Sequence, residues 1–207
     1  MPEIIKLSDS LSIALDLSEK TLNQGGLIVF PTDTVYGLAA KFDLLEAIQR
    51  IYQVKGRDQT KALPVLLGNV EQIKLVAAEF PGFASSLAEN FWPGALTIVL
   101  QKKSDLISPL SMDNTIGIRI PNDNFVRELA GRVGPLATTS ANRSGFPSAI
   151  NIDEVLSQIG DFVDVIVDGG QSEGGVPSTV VDCREKPFRI LREGAISREE
   201  IFKVLNK

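Results

Sequence analysis

Histidine is absent from the 207 residues of this chain, and cysteine occurs once, at Cys183. Without imidazole there is no Ser-His-Asp or Cys-His relay, and a zinc site is disfavoured. One thiol cannot close an intramolecular disulfide. No run approaches the roughly 20 apolar residues that cross a bilayer. The opening MPEIIKLSDS has neither the basic nor the apolar region of a secretory leader. Together these absences point to the cytoplasm. A net charge of −5 argues against non-specific coating of nucleic acid, although it leaves room for a local basic cleft. The chemistry must therefore come from hydroxyls, carboxylates, lysines, arginines and backbone amides.

With 43% hydrophobic residues, the chain carries enough apolar surface for one buried core. Short β-rich runs alternate with helical stretches, the pattern of an α/β domain. Leu11, Leu15 and Leu22 predict a helix over residues 8–23, stopped at Gly25-Gly26. LIVFPT then reads as a buried strand, and 43–54 as a helix capped by Asp43. LPVLL is a further strand, and 70–90 reads as two helices broken at Pro81-Gly82. ALTIVLQ and TIGIRIP are strands separated by a Lys/Ser/Pro loop. A helix over 122–132, the short strand PLATTS and a helix over 152–159 follow. DVIVDGG, STVVDC and FRILRE are strands, and Ser197 with Glu200 forms a capping box before a last helix. Several strands lie too close in sequence for helical crossovers, so the sheet is expected to be twisted and mixed, with surrounding helices. One domain spans residues 1–207.

Five polar segments stand at strand ends. FPTDTVYGLAA, from Phe30, places two hydroxyls and an aspartate after a buried strand; it is a substrate-binding turn or a Thr/Asp helix cap. KGRDQTK, from Lys55, gathers three cations suited to a polyphosphate, though it is not a GxxxxGK[ST] loop and could be a solvated basic loop. In TIGIRIP, strict alternation puts Thr115, Gly117 and Arg119 on one face, where a charge needs an anionic partner or a wet cleft. TTSANRSG, from Thr138, is dense in neutral donors and fits a nucleotide site or a Ser/Thr turn. DGGQSEGGVPSTVVD carries four glycines before Ser178 and Thr179 and reads as a lid or an ordinary surface loop; Arg192 ends the last strand. Trp92-Pro93-Gly94 reads as packing. Cations and hydroxyls recurring at strand ends, without metal-ligand clusters, suit a triphosphate and a zwitterion.

The ordered set FPTDTVYGL, KGR…K.LP, FWPGALT, IRIP, TSANRSG and GG…STVVD, closed by a strand-end arginine, resembles the YrdC-like threonylcarbamoyl-AMP synthase family, in its short single-domain form. The motifs run from about residue 26 to 192, nearly the whole chain. The resemblance implies a twisted mixed sheet around a positively lined cavity. It implies a nucleotidyltransferase that makes threonylcarbamoyl-AMP and pyrophosphate from L-threonine, bicarbonate or CO2, and ATP with Mg2+. The product would pass to the machinery that forms N6-threonylcarbamoyladenosine in tRNA. Lys55 and Arg57 would be catalytic, and Thr34, Arg119 and Ser178 would bind threonine. Arg57, Lys61, Thr115, Thr138, Ser140, Asn142, Ser148 and Arg192 would bind ATP, and no residue would ligate metal directly. The chain departs from the family pattern at Asp58, where proline often follows KxR, and at Leu66, where some relatives have histidine. Two other readings remain: a related carbamoyl-adenylate-forming enzyme, and an RNA-binding module holding tRNA or double-stranded RNA.

Overall fold

The computed structural model describes residues 1–106, 110, 111, 113–172 and 174–205. The expected Lys/Ser/Pro loop and the glycine-rich loop fall partly outside them. Among the described residues there are ten strands: β1 (Glu3–Lys6), β2 (Ile28–Phe30), β3 (Gly37–Lys41), β4 (Val65–Leu66), β5 (Leu96–Gln101), β6 (Thr115–Arg119), β7 (Leu136–Ser140), β8 (Val165–Asp168), β9 (Thr179–Asp182) and β10 (Arg189–Arg192). They form one sheet in the order β1-β8-β2-β3-β7-β4-β6-β5-β9-β10. Pairings are mixed: β1–β8, β8–β2, β4–β6 and β5–β9 are parallel, and the others antiparallel. The expected mixed sheet is therefore present. The sequence reading missed β1, whose residues are mostly exposed, and β3, whose GLAAK run lacks the β-branched residues that mark a strand.

Helices α1 (Leu11–Asn23), α2 (Leu45–Lys55), α3 (Ile73–Val76), α4 (Gly82–Phe91), α5 (Asn124–Val133), α6 (Ile152–Ile159) and α7 (Arg198–Leu205) cover the sheet unequally. Ala47, Ile48 and Ile51 of α2, Leu87 of α4, Val155 of α6 and Ile201 of α7 join one apolar cluster. Leu15 and Leu22 of α1 and Phe125, Val126 and Leu129 of α5 join a second. Strand residues alternate between the two: Val29 and Leu38 face the first cluster, Ile28, Phe30 and Ala39 the second. Helix ends follow their caps. Ser10, Asp123 and Asn151 each accept a backbone N–H from the first turn of α1, α5 and α6. The Ser197–Glu200 capping box forms as expected: Ser197 N donates to Glu200 Oε2 (2.9 Å) and Glu200 N to Ser197 Oγ (3.3 Å). The expected cap at Asp43 is corrected: Leu44 precedes α2 and makes no side-chain cap bond.

This unequal covering creates the site. On β6, Ile116 and Ile118 point into the first cluster, so Thr115, Gly117 and Arg119 point to the opposite face, the one shared by α1 and α5. Along β7 that face begins at Leu136, packed in the second cluster, and continues to Thr138 and Ser140, which line a cavity. The sheet face extends past the apolar cover of α1 and α5, and its uncovered part is polar.

Candidate active site

The cavity encloses about 190 Å³ and opens to solvent. Its wall contains Thr34, Arg57, Arg119, Thr138, Ser140, Ser148, Ser178 and Arg192, eight of the residues singled out from the sequence. Thr32, Tyr36, Gly37, Leu66, Thr97 and Pro177 also contribute and were not assigned there. Gly37 was invisible as a wall residue because its function is spatial. A Cβ there would meet Phe30 at 3.2 Å and Thr138 at 3.3 Å.

Arg119 is 6% exposed, and its side chain is committed in three directions. Nε donates to the Gly94 carbonyl (2.9 Å), Nη1 to Thr34 Oγ1 (3.0 Å), and Nη2 to Asp33 Oδ1 in an ion pair. The Trp92-Pro93-Gly94 turn thus does more than pack, since it orients this guanidinium. Burial lowers the pKa of Arg119 while Asp33 raises it, and Arg192 adds a further lowering. The hydroxyls beside it are ordered. Thr32 Oγ1 donates to the Val35 carbonyl (2.7 Å) and accepts from the Thr34 amide (3.1 Å). Its one proton is therefore spent, and in the 2.9 Å contact between the two hydroxyls Thr34 is the donor. Thr34 Oγ1, also accepting from Arg119, presents a lone pair to the cavity.

Arg57 and Arg192 are held differently, by carbonyls rather than carboxylates. Arg57 Nη2 donates to Ala62 O (3.0 Å); Arg192 donates to Ser178 O through Nη2 (2.8 Å) and Nε (3.2 Å). Ser178 Oγ contacts Thr97 Oγ1 at 2.8 Å and accepts from Arg192 Nη2 at 3.3 Å. Burial lowers the pKa of both arginines, and Arg57 lowers that of Arg192 further, so their like charges act on each other. Guanidinium groups stay protonated regardless; the mutual repulsion is a latent affinity for anions. Gly194 permits this arrangement, because a Cβ there would lie 2.2 Å from the Pro177 carbonyl.

The glycine-rich loop is tied to the same wall. Tyr36 Oη donates to Gly170 O (2.5 Å), Ser172 N to Ile150 O (2.8 Å) and Gly175 N to Thr34 O (2.8 Å). Burial pushes the Tyr36 phenol up to about 12, so it remains a donor at neutral pH.

Four assigned residues do not reach the cavity wall. Lys55 is turned into the protein, where its ammonium donates to main-chain oxygens of Ser140 and Asn142. Asn142 faces that ammonium, not the cavity. Thr115 begins β6, four residues from Arg119, and its hydroxyl donates to Asp113 Oδ1 (2.5 Å). Lys61 is exposed, on the loop after Arg57. Of the two departures, Asp58 Oδ1 accepts from Thr60 N (2.9 Å) and turns this loop, while Leu66 is buried at the cavity wall beside Arg119 in the β4–β6 register.

The fold and the wall together define an α/β protein with a cleft lined by arginines and hydroxyls on one sheet face. A family model for Sua5, YciO and YrdC proteins, described as "Telomere recombination", matches residues 20–194. The chain belongs to the Sua5/YciO/YrdC family. It is 37% identical over 190 residues to the threonylcarbamoyl-AMP synthase of Pyrococcus abyssi, covering 90% of this chain and 55% of that protein. It is likewise 37% identical over 185 residues to the putative threonylcarbamoyl-AMP synthase of Mycobacterium tuberculosis, covering 89% of this chain and 85% of that one. The chain thus spans little more than half the length of the first relative. The crystal structure of P. abyssi Sua5 complexed with L-threonine matches with a TM-score of 0.93 at 33% identity, over 99% of this chain and 61% of that one. No helix among the described residues is long and apolar enough to cross a membrane.

Proposed function

We propose that this protein is a nucleotidyltransferase that makes threonylcarbamoyl-AMP and pyrophosphate from L-threonine, bicarbonate or CO2, and ATP, for transfer to tRNA. One observation carries the reading: three guanidiniums, Arg57, Arg119 and Arg192, converge on one cavity, and among the described residues only Arg119 has a carboxylate partner. Relatives named threonylcarbamoyl-AMP synthase, and the threonine complex of P. abyssi Sua5, support the choice of substrates.

On this reading the threonine carboxylate meets Arg119, and its ammonium or hydroxyl donates to Thr34 Oγ1. The ammonium first gives a proton to water or bicarbonate; the amine attacks CO2, and the carbamic acid so formed loses a second proton to solvent, leaving a carbamate. A carbamate oxygen then attacks the α-phosphorus of ATP in line, and the bond to pyrophosphate breaks. Negative charge develops on the phosphate oxygens, where Arg57 and Arg192 stabilise it by position rather than by proton transfer. The donor set does not form a metal cage. Among the described residues no three His, Cys, Asp or Glu side chains cluster, and Asp33 is engaged by Arg119. Mg2+ would enter with ATP, held by phosphate and water, and would supply charge neutralisation.

The test is to incubate the protein with MgATP and bicarbonate, with and without each amino acid, and to measure pyrophosphate. Release that requires threonine is expected. Release without it, or with any amino acid equally, would overturn the assignment.

A further inference from the structure

The Lys-Gly-Arg segment divides its work between two sides of one turn. Helix α2 ends at Lys55, and Gly56 adopts φ 57°, the left-handed conformation that reverses a chain at a helix C-terminus. Gly56 N and Arg57 N return to Gln53 O and Tyr52 O and close the helix. This reversal sends Arg57 toward the cavity and leaves Lys55, 3% exposed, facing the loop that follows β7. The Lys55 ammonium donates to Ser140 O (2.5 Å), Asn142 O (2.6 Å) and Asn142 Oδ1 (3.1 Å), so its three protons have three acceptors. Its own carbonyl accepts from Ser144 N (2.8 Å). Asn142 extends the network, donating to Arg143 O (3.0 Å) and Phe146 O (2.7 Å).

From this geometry we infer that Lys55 is a positioning residue: it clamps the Ser140–Asn142 turn from behind and so sets the hydroxyl wall of the cavity, without touching substrate. The inference rests on the proposed nucleotide site but makes a separate structural claim. It gives Lys55 a second effect through Ser140. The Ser140 hydroxyl donates to Asn142 Oδ1 at 2.5 Å. Lys55 donates to that same oxygen, so Ser140 can turn its proton to a phosphate oxygen without stranding a buried acceptor. Lysine is required rather than a neutral donor, because three oxygens meet at one nitrogen.

Amide hydrogen exchange on the ligand-free protein tests the clamp directly. In Lys55→Met and Lys55→Gln, segment 140–146 should exchange about tenfold faster, with α1 unchanged. KM for ATP should rise about tenfold while KM for threonine stays within about twofold. In a double-mutant cycle with Asn142→Ala, the two losses should not multiply, because both open the same turn. Unchanged exchange in both variants would overturn the inference, whatever happened to turnover. Losses that multiply would also overturn it and return Lys55 to direct action on substrate. A protein that proved to catalyse some other reaction would leave the exchange result standing, so the two readings fail separately.

Discussion

The two walls of the cavity solve the problem of holding arginine at a sheet surface in opposite ways. Arg119 is buried and charge-compensated by Asp33, with each of its nitrogens on a protein acceptor. Arg57 is half-buried and Arg192 exposed; they repel each other and lean on carbonyl oxygens, with the Ser178 hydroxyl a further acceptor for Arg192. The first wall is nearly neutral before a ligand arrives, which suits a zwitterion: a carboxylate for the guanidinium and a donor for the Thr34 lone pair. The second wall carries positive charge with no carboxylate partner among the described residues, which suits a polyphosphate. Removing a group from the first wall should therefore damage folding and threonine recognition together. Removing one from the second should damage turnover and spare the fold.

The largest effect should come from the second wall. Arg57→Ala is expected to lower threonine-dependent pyrophosphate release by about 10²–10³-fold, with little change in the thermal midpoint, because its partners are loop carbonyls that water can satisfy. Unchanged turnover would remove Arg57 from the chemistry. On the first wall, Asp33→Asn breaks a largely buried pair, in which the side chains are 8% (Arg119) and 16% (Asp33) exposed. Stability should fall by about 3 kcal/mol, or roughly 6–12 °C in the midpoint, with weaker threonine binding. Calorimetry with and without threonine reads both. A variant as stable as the parent would mean that the pair is not what fixes Arg119.

How much of this contrast was readable in advance depends on which residue is asked. Arg119 was legible as an oddity, a charge on the face shared with Thr115 and Gly117, because strand alternation is a local rule. Its partner Asp33 lies 86 residues away, and no local pattern pairs them. The capping box at Ser197 was local and formed as read. The strand β3 was not legible, because Gly-Leu-Ala-Ala carries a small-residue pattern imposed by the cavity and by tight packing between β2 and β7. The motifs marked Lys55 and Arg57 as a pair. Only the left-handed Gly56 between them shows that they face different ways. Thr97 gave no signal at all: its place on the wall follows from β5 lying beside β9, a non-local parallel pairing.

Thr32 sharpens the first wall with a smaller effect. Thr32→Val removes the hydroxyl that takes the Thr34 proton, freeing Thr34 to point that proton at the ligand. KM for threonine should rise about tenfold, with KM for ATP unmoved and Thr32→Ser restoring the parent value. Failure of serine to rescue would assign the effect to packing instead of proton order.

The smallest expected effect is a pH dependence that separates the walls without mutation. Burial, with a lesser contribution from Arg57, lowers the Lys55 pKa from 10.5 to about 7. Between those values the unfolded chain binds the proton that the native state has released, so this group makes stability rise with pH. The clamp on Ser140 and Asn142 changes in the other direction, because a neutral amine has two protons for three oxygens. KM for ATP should therefore climb from pH 6 to pH 9 (by about threefold, for one weakened hydrogen bond) while stability rises over the same range and KM for threonine stays flat. In Lys55→Arg the alkaline rise should disappear, because guanidinium does not titrate there. A rise that persists in that variant would trace the effect to the substrate or to another group on the nucleotide wall.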